Sequence, residues 1–445
     1  MKKIKKDLLV VYLNEFNLDF LQKGAKKYNC ESILKILKLK NLKTFTRDKK
    51  QDFNLDPWVQ SVSINTGKSS KQHNILRLGQ PLKKNQIQIW DKLSKNKVTC
   101  AVWGAMNSKL KKNKYIQHYF PDPWNFRDST TPKNLMGLYY LPNYYAKNYL
   151  KFSLFKFSYF SLIFFFTLIF KINLLTFLKD LFFSLKLLLV RGFKNFILFF
   201  FFDQIFLNIF QKTVLKKKSS FSFIFLNSIA HYQHNNWNEI ENEKYFFLYA
   251  ESIFKKILNI KNSFNSFLIF NGFTQKKIPI EYLLRPKNPK KFLLKFINFE
   301  RLEQDMTNGG FIFFKNRKNK DQSVRILNKL YCFGSKIFYI KKYNSNKLFY
   351  KINLKSNKTF KELNFNKVLF KKNLIQNLKF KKIKNDKKID ISEYFIKNIK
   401  FIKTTGIHVP EGLVLFDNFK HFNKVCKIEN HKIFSLVCKH FETYY

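Results

Sequence analysis

The chain has 445 residues and carries 83 Lys and Arg against 29 Asp and Glu, a formal charge of +54, with 55 Phe but only 12 Gly and 10 Pro. That length can bury a large core and implies one main domain with insertions, or two to three domains. The charge alone would suggest nucleic acid or an anionic surface, but the lysines flank every apolar run without gathering into a groove; this excludes a specific nucleic-acid module and leaves a basic protein suited to small anionic substrates.

Asp7 and the six-residue apolar run after it are too short for a secretory signal core. Leu8 to Leu13 reads instead as a buried parallel strand, with Glu15 just past its C-terminal end. Residues 17 to 40 have helical periodicity. Asp56 to Gly67 holds an N-cap residue, a proline at the first helical position and a glycine stop. Asp56 is therefore expected at the positive end of a helix, where an acidic side chain gains about 0.3–1 kcal/mol and free backbone donors accept an anion. A helix over Gln86 to Leu93 and a strand over Val98 to Trp103 make the next unit, and the loop Phe120 to Trp124 is rigid and aromatic enough to wall a pocket.

Residues 151 to 212 are dominated by Phe and Leu, most strongly over 152–170 and 193–210. Lys156 interrupts the first stretch and Asp203 and Gln204 the second, so neither is a clean uncharged span. The expectation is a helical cap packed on the core, with peripheral membrane contact as the competing reading.

From Phe221 the β/α pattern resumes. A strand to Leu226 stops at Asn227 and runs through His231 and His234 to Trp237; a helix follows over Glu241 to Leu258, and a strand over Phe267 to Phe270 enters Asn271-Gly-Phe-Thr-Gln275. Residues 309 to 355 read as a small β-α-β-β insertion, Lys367 to Lys388 as a lysine-rich connector, and Thr404 to Phe416, with His408, as a return to the core before a last helix over Lys432 to Phe441. The expected fold class is α/β, a mostly parallel central sheet flanked by helices. Its core would be built from 1–150, 221–292 and 376–445 and interrupted by a helical insertion at 151–220 and an α+β insertion at 293–375. The five cysteines are odd in number and form no CxxC pair, which argues for a reducing, cytoplasmic setting and against a structural zinc site.

A buried strand that empties into a polar loop is where α/β proteins place ligands. Three strand ends of this form, with Asp56 and His408, are expected to converge on one site. His231 and His234, three apart on a helical turn, share a face and suit zinc, although paired loop histidines commonly just bond backbone. Glu15 is a ligand or a helix cap; Asp56 is an N-cap, a carboxylate nucleophile or a ligand. Asn227, Asn271 and Gln275 suit a sugar or phosphate oxygen or else satisfy backbone, and Trp58 is a packing or substrate-stacking residue. His73 is expected to be structural.

The order of these elements resembles the alkaline phosphatase superfamily, especially its nucleotide pyrophosphatase/phosphodiesterase branch. Thr66-Gly67-Lys-Ser-Ser-Lys-Gln-His73-Asn-Ile75 resembles the segment after that branch's nucleophile helix, Asn227-x-x-x-His231 its Asp-x-x-x-His pair, Asn271-Gly272 its Asp-His pair, and Gly406-Ile-His408-Val-Pro-Glu-Gly412 its last histidine loop. The resemblance implies two divalent metals and a Thr or Ser nucleophile. Here the nucleophile position falls on Asp56 or Pro57, and Asn227, Asn271 and Gly272 are poor or absent ligands. Glu15, His231, His234 and His408 remain to hold one divalent ion, zinc or manganese, with Asp56 and Glu15 as catalytic carboxylates. The implied function is hydrolysis of a phosphate ester or phosphodiester in a nucleotide-sugar or glycan-type small molecule. The alternative is a catalytically lapsed member that binds an anionic ligand or a partner.

Overall fold

The computed structural model describes residues 6–49, 55–148, 152–192, 194–304, 308–332, 335–353, 389–422 and 426–442. The chain forms two compact units, one of Met1–Pro279 with Thr405–Tyr445 and one of Ile280–Thr404.

The first unit is built on an eight-stranded sheet. In chain order its strands are β1 (Leu8–Leu13), β2 (Lys40–Phe45), β3 (Cys100–Trp103), β4 (Ile116–Phe120), β5 (Phe221–Leu226), β6 (Ser266–Phe270), β7 (Glu411–Asp417) and β8 (Lys427–Glu429). Across the sheet they lie β8-β2-β7-β6-β1-β5-β3-β4. The ladders β1/β5, β1/β6, β3/β5 and β3/β4 are all parallel, whereas β7 is antiparallel to both β6 and β2. Only β7 is therefore reversed, and the mostly parallel sheet expected from the sequence is present.

β1 is continuously apolar because both of its faces are covered. Leu8, Val10 and Tyr12 pack with Ile64, Trp90, Leu93, Phe434 and Val437 in one core, and Leu9, Val11 and Leu13 pack with Leu21, Ala25, Phe247 and Ile253 in another. Burying each such side chain contributes about 1.5–3 kcal/mol, so shifting β1 by one residue would exchange two complementary packing sets.

The helices that matter for the site are α1 (Leu18–Lys27), α2 (Pro57–Thr66), α3 (Met136–Asn148), α4 (Leu154–Lys171), α5 (Leu174–Arg191), α6 (Asn195–Val214), α7 (Ser228–Asn235), α8 (Ile240–Lys261) and α9 (Ile433–His440). The Asn17 side chain accepts from the Phe20 N–H and starts α1, while Gly67 at φ 67° ends α2. The segment expected as a helical cap packed on the core forms helices in the layer on the Leu9 side of the sheet. Phe164, Leu168, Phe177, Leu187, Phe196, Phe200 and Phe210 from α4, α5 and α6 join the same apolar core as Leu9 and Val11. Asp203 and Gln204 are accommodated inside this packing. Asp203 Oδ2 accepts the backbone N–H groups of Asn227 and Ser228 at 3.0 and 2.8 Å, and Gln204 donates to Ser252 Oγ at 3.0 Å.

The second unit contains the expected β-α-β-β order, with strands Gly309–Phe313, Phe338–Lys342 and Lys347–Ile352 around the helix Arg317–Asn328. The last two strands form the expected antiparallel hairpin. The unit starts earlier and ends later than the expected 293–375 insertion, because Leu284, Phe292, Ile391, Phe395 and Ile399 pack into its core with Ile312 and Tyr350. Residues 389–404 thus belong to this second unit. The connector expected over Lys367–Lys388 lies outside the described residues.

His73 closes the turn after α2 and is fully buried. Its Nδ1 accepts the Ile75 N–H at 2.9 Å, and its Nε2 lies 3.0 Å from Ser63 Oγ. Burial, reinforced by Lys68, pushes this imidazole down to about 4, and burial and Lys217 push His118 down to about 4 as well. The unfolded chain binds these protons near pH 6.5 and the folded chain does not. Stability should therefore hold above pH 6.5 and fall as pH drops toward 4, by up to about 1.4 kcal/mol per pH unit for each imidazole. Thermal melts across this range should show a shallower acid dependence in His73→Asn, although that variant starts from a lower melting temperature.

Candidate metal centre

The site lies where β1, β5 and β6 end side by side. β1 delivers Glu15, which is 1% exposed and sits at φ 57°, in the left-handed region that non-glycine residues seldom occupy. Such a conformation costs on the order of 1 kcal/mol or more and persists only where surrounding contacts fix it. Those contacts are present. Glu15 N–H donates to the Asn271 carbonyl at 3.2 Å, and Gln233 Nε2 donates to the Glu15 carbonyl at 3.0 Å. Asn14 Nδ2 donates to Glu15 Oε1 at 3.0 Å, and Gln275 Nε2 donates to Glu15 Oε2 at 2.5 Å.

Two imidazoles meet this carboxylate. His234 Nε2, from α7, and His408 Nε2 lie 2.9 and 3.1 Å from Glu15 Oε2 and 3.3 Å from each other. His408 Nδ1 lies 2.8 Å from the Leu55 carbonyl, a hydrogen bond that leaves Nε2 as the lone-pair nitrogen toward Glu15 in the neutral ring. The His408 ring is also edge-on to the buried Phe273 at 4.8 Å. Asp56 stands at the margin, its Oδ1 3.7 Å from His408 Nδ1. Side-chain exposure rises from 1% at Glu15 to 14% at His408, 27% at Asp56 and 30% at His234, so the cluster opens on the Asp56 and His234 side.

Burial opposes a charged Glu15, yet His408 and then His234 hold its carboxyl well below the usual carboxylate range. Burial likewise opposes protonating His408, but the Glu15 and Asp56 carboxylates raise its imidazole above the ordinary value. The same convergence suits a cation. Among the described residues, Glu15, His234 and His408 form the one group of three or more such side chains able to hold a metal ion. A tetrahedral ion with bonds of about 2.0–2.2 Å spaces its ligand atoms by about 3.3–3.5 Å, and the three donors need open by only a few tenths of an ångström to reach that spacing. Asn14 Oδ1 and Gln275 Oε1, beside Glu15, are buried without a hydrogen-bond partner, acceptors of the kind a hydrated ion satisfies.

Glu15, His234, His408 and Asp56 are therefore brought together, while the remaining expected site residues are placed differently. His231, expected as a ligand, stands outside this group: its ring stacks face to face on Phe199 of α6 at 3.4 Å, and burial, then His234, pushes it down to about 3. Asp56 begins α2 through its backbone carbonyl, which accepts from Val59 and Gln60, and its carboxylate makes no cap hydrogen bond. Asn227 Oδ1 accepts from Asn14 Nδ2 at 2.8 Å and so orients the residue that holds Glu15. Asn271 joins strands, its Nδ2 donating to the Phe16 carbonyl and its Oδ1 accepting from Leu413 N–H, both at 2.8 Å. Gln275 is a brace of Glu15, and Trp58 Nε1 donates to the Leu76 carbonyl at 3.2 Å. Asn14 and Gln233 escaped the sequence reading. Their only signal was adjacency to Glu15 and His234, and polar residues next to candidate ligands are common.

No protein-family model matches the chain, and no curated protein matches it by sequence. Among solved structures it is similar to the human and murine ectonucleotide pyrophosphatase/phosphodiesterase 5, at 10% identity with TM-scores of 0.48 and 0.47, over 98% of this chain and 94% of theirs. It is also similar to the alkaline phosphatase of the Antarctic bacterium TAB5, at 9% identity with a TM-score of 0.40 over the whole of both chains.

Proposed function

We propose that this protein is a phosphoester hydrolase with a single divalent metal ion held by Glu15 Oε2, His234 Nε2 and His408 Nε2. The observation that carries the reading is the meeting of these three atoms, from parts of the sequence far apart, at the end of the central strand. The motif order that resembles the alkaline phosphatase superfamily supports the same reaction class. A bound divalent ion supplies Lewis acidity toward a phosphoryl oxygen or water. Everything else comes from the chain. Asn14 and Gln275 fix the Glu15 carboxylate, and the Leu55 carbonyl fixes the His408 tautomer. Asp56, partly exposed at the margin, is the residue placed to take a proton from an attacking water or to attack phosphorus itself. The basic surface favours anionic substrates of the nucleotide-sugar or glycan-phosphate type.

A second reading has its own observation. The α2 start carries Pro57 rather than a hydroxyl, and Asn271 is fully engaged with backbone, so a protein that binds a phosphorylated ligand without turnover also fits.

Metal binding separates both readings from a purely structural cluster. Calorimetric titration of the metal-stripped protein with Zn2+ or Mn2+ should give one site per chain. Glu15→Gln, His234→Ala and His408→Ala should each weaken it about 100-fold or more, and His231→Ala should change it little. Failure of the wild type to bind any divalent ion would end the proposal.

Turnover separates the two readings from each other. With p-nitrophenyl phosphate and bis-p-nitrophenyl phosphate as probes, Asp56→Asn should lower kcat about 100-fold while leaving metal affinity within about threefold. Metal binding with no hydrolysis of either ester by the wild type would favour the binding protein.

A further inference from the structure

The outward faces of α4 and α5 are unlike the rest of the surface. On α4 the residues at helical spacing Phe155, Tyr159, Leu162, Phe166 and Phe170 are 83, 55, 71, 68 and 64% exposed. Phe165 and Ile169 widen the stripe. The opposite stripe, centred on Phe164 and Leu168, is buried in the main core, so the helix is apolar all round while only one side is covered by protein. α5 presents a second stripe, Leu175, Lys179, Phe182, Lys186 and Leu189, in which the three apolar residues are 74, 67 and 88% exposed. The two helices flank α6, where Phe202 meets Phe164 of α4 and Phe201 meets Phe177 of α5. A run of neighbouring large apolar side chains exposed to this degree marks an interaction site.

The charges say what covers it. Between residues 151 and 202 the sequence has one acidic residue, Asp180, against Lys151, Lys156, Lys171, Lys179, Lys186, Arg191 and Lys194. Asp180 is buried and paired with Lys256 at 2.9 Å. Lys156, Lys179 and Lys186 are exposed and have no ion-pair partner among the described residues. A second copy docking by twofold symmetry would set these cations against one another with no acid to pair. An anionic lipid surface satisfies both components, with aromatic and aliphatic side chains entering the acyl boundary and lysine stems lying along it with their ammonium groups at the phosphates.

We infer that the α4/α5 face is a peripheral docking surface for a bilayer containing anionic lipids. Each helix lies against the membrane rather than across it. Phe164 and Leu168 on α4, and Phe177 and Leu187 on α5, are committed to the protein core, so a spanning orientation would have to pull that core apart.

The test is flotation of the full chain with vesicles of phosphatidylcholine alone and with about one third phosphatidylglycerol. The protein should float with the anionic vesicles, at least tenfold more than with the neutral ones, and the excess should be lost in high salt. Leu162→Glu with Phe166→Glu should abolish flotation, and Lys179→Glu with Lys186→Glu should remove the preference for anionic vesicles. All four positions are exposed, and unchanged melting temperatures would confirm that the variants fold. Equal flotation of the wild type and the Leu162/Phe166 variant would overturn the inference. So would a wild-type dimer in sedimentation velocity that does not float and that the same variant dissociates, because the covering partner would then be a second copy.

Discussion

Everything at the site depends on one carboxylate held where neither its backbone nor its charge is at ease. Glu15 occupies left-handed φ, is cut off from water and receives donors from Asn14 and Gln275 besides the two imidazoles. A buried carboxylate is costly unless paired and hydrogen-bonded, and this one draws on four segments of the sequence: Asn14, Gln233 with His234, Asn271 with Gln275, and His408. The three parallel strands supply the means. Because β5, β1 and β6 are in register as neighbours, Asn227, Glu15 and Asn271 emerge on one rim of the sheet, with Glu15 on the middle strand. Sheet, rim and cluster stand or fall together.

This explains why some of the molecule was legible in the sequence. Buried parallel strands are short apolar runs with an abrupt polar end, and Leu8–Leu13, Phe221–Leu226 and Phe267–Phe270 all show it, so the convergence of Glu15, His234 and His408 could be read. β2 could not. Lys40-Asn-Leu-Lys-Thr-Phe45 has only two fully buried residues and looks like the end of the preceding helix, yet it pairs with β7 and β8 and widens the sheet. The extent of the second unit was hidden for a related reason: Leu284, Phe292 and Phe395 are spread through lysine-rich sequence and show their common core only in three dimensions.

The choice between His231 and His234 shows where spacing stops being informative. Three residues apart on α7, the two share a helix face, and either could have met Glu15. What decides is α6, which belongs to the Phe-rich insertion. Phe199 covers His231, while Asp203 holds the first turn of α7 through Asn227 and Ser228. Burial pushes the Asp203 carboxyl up to about 6, and those N–H groups partly offset it. The insertion is thus not an appendage. It sets the orientation of the helix that carries His234, so perturbing its packing is expected to be felt at the Glu15, His234 and His408 cluster.

The residues that the resemblance would make into a second metal site have been given other work, in a way that point substitution would not reverse. Asn271 ties Phe16 to Leu413 with both ends of its side-chain amide. Gly272 sits at φ 73°, and a Cβ there would collide with the hydroxyl of Tyr12, whose ring fills the core between Phe225 and Phe270. A ligand at position 272 would need Tyr12 to move, and Tyr12 is fully buried in the strand that positions Glu15. A side chain at position 272 is thus excluded by the packing of the strand that positions Glu15. On the proposed reading, chemistry at this rim proceeds with one cation and the Asp56 carboxylate, and substrates that need two ions to neutralise attacking and leaving oxygens together are poorly matched to it.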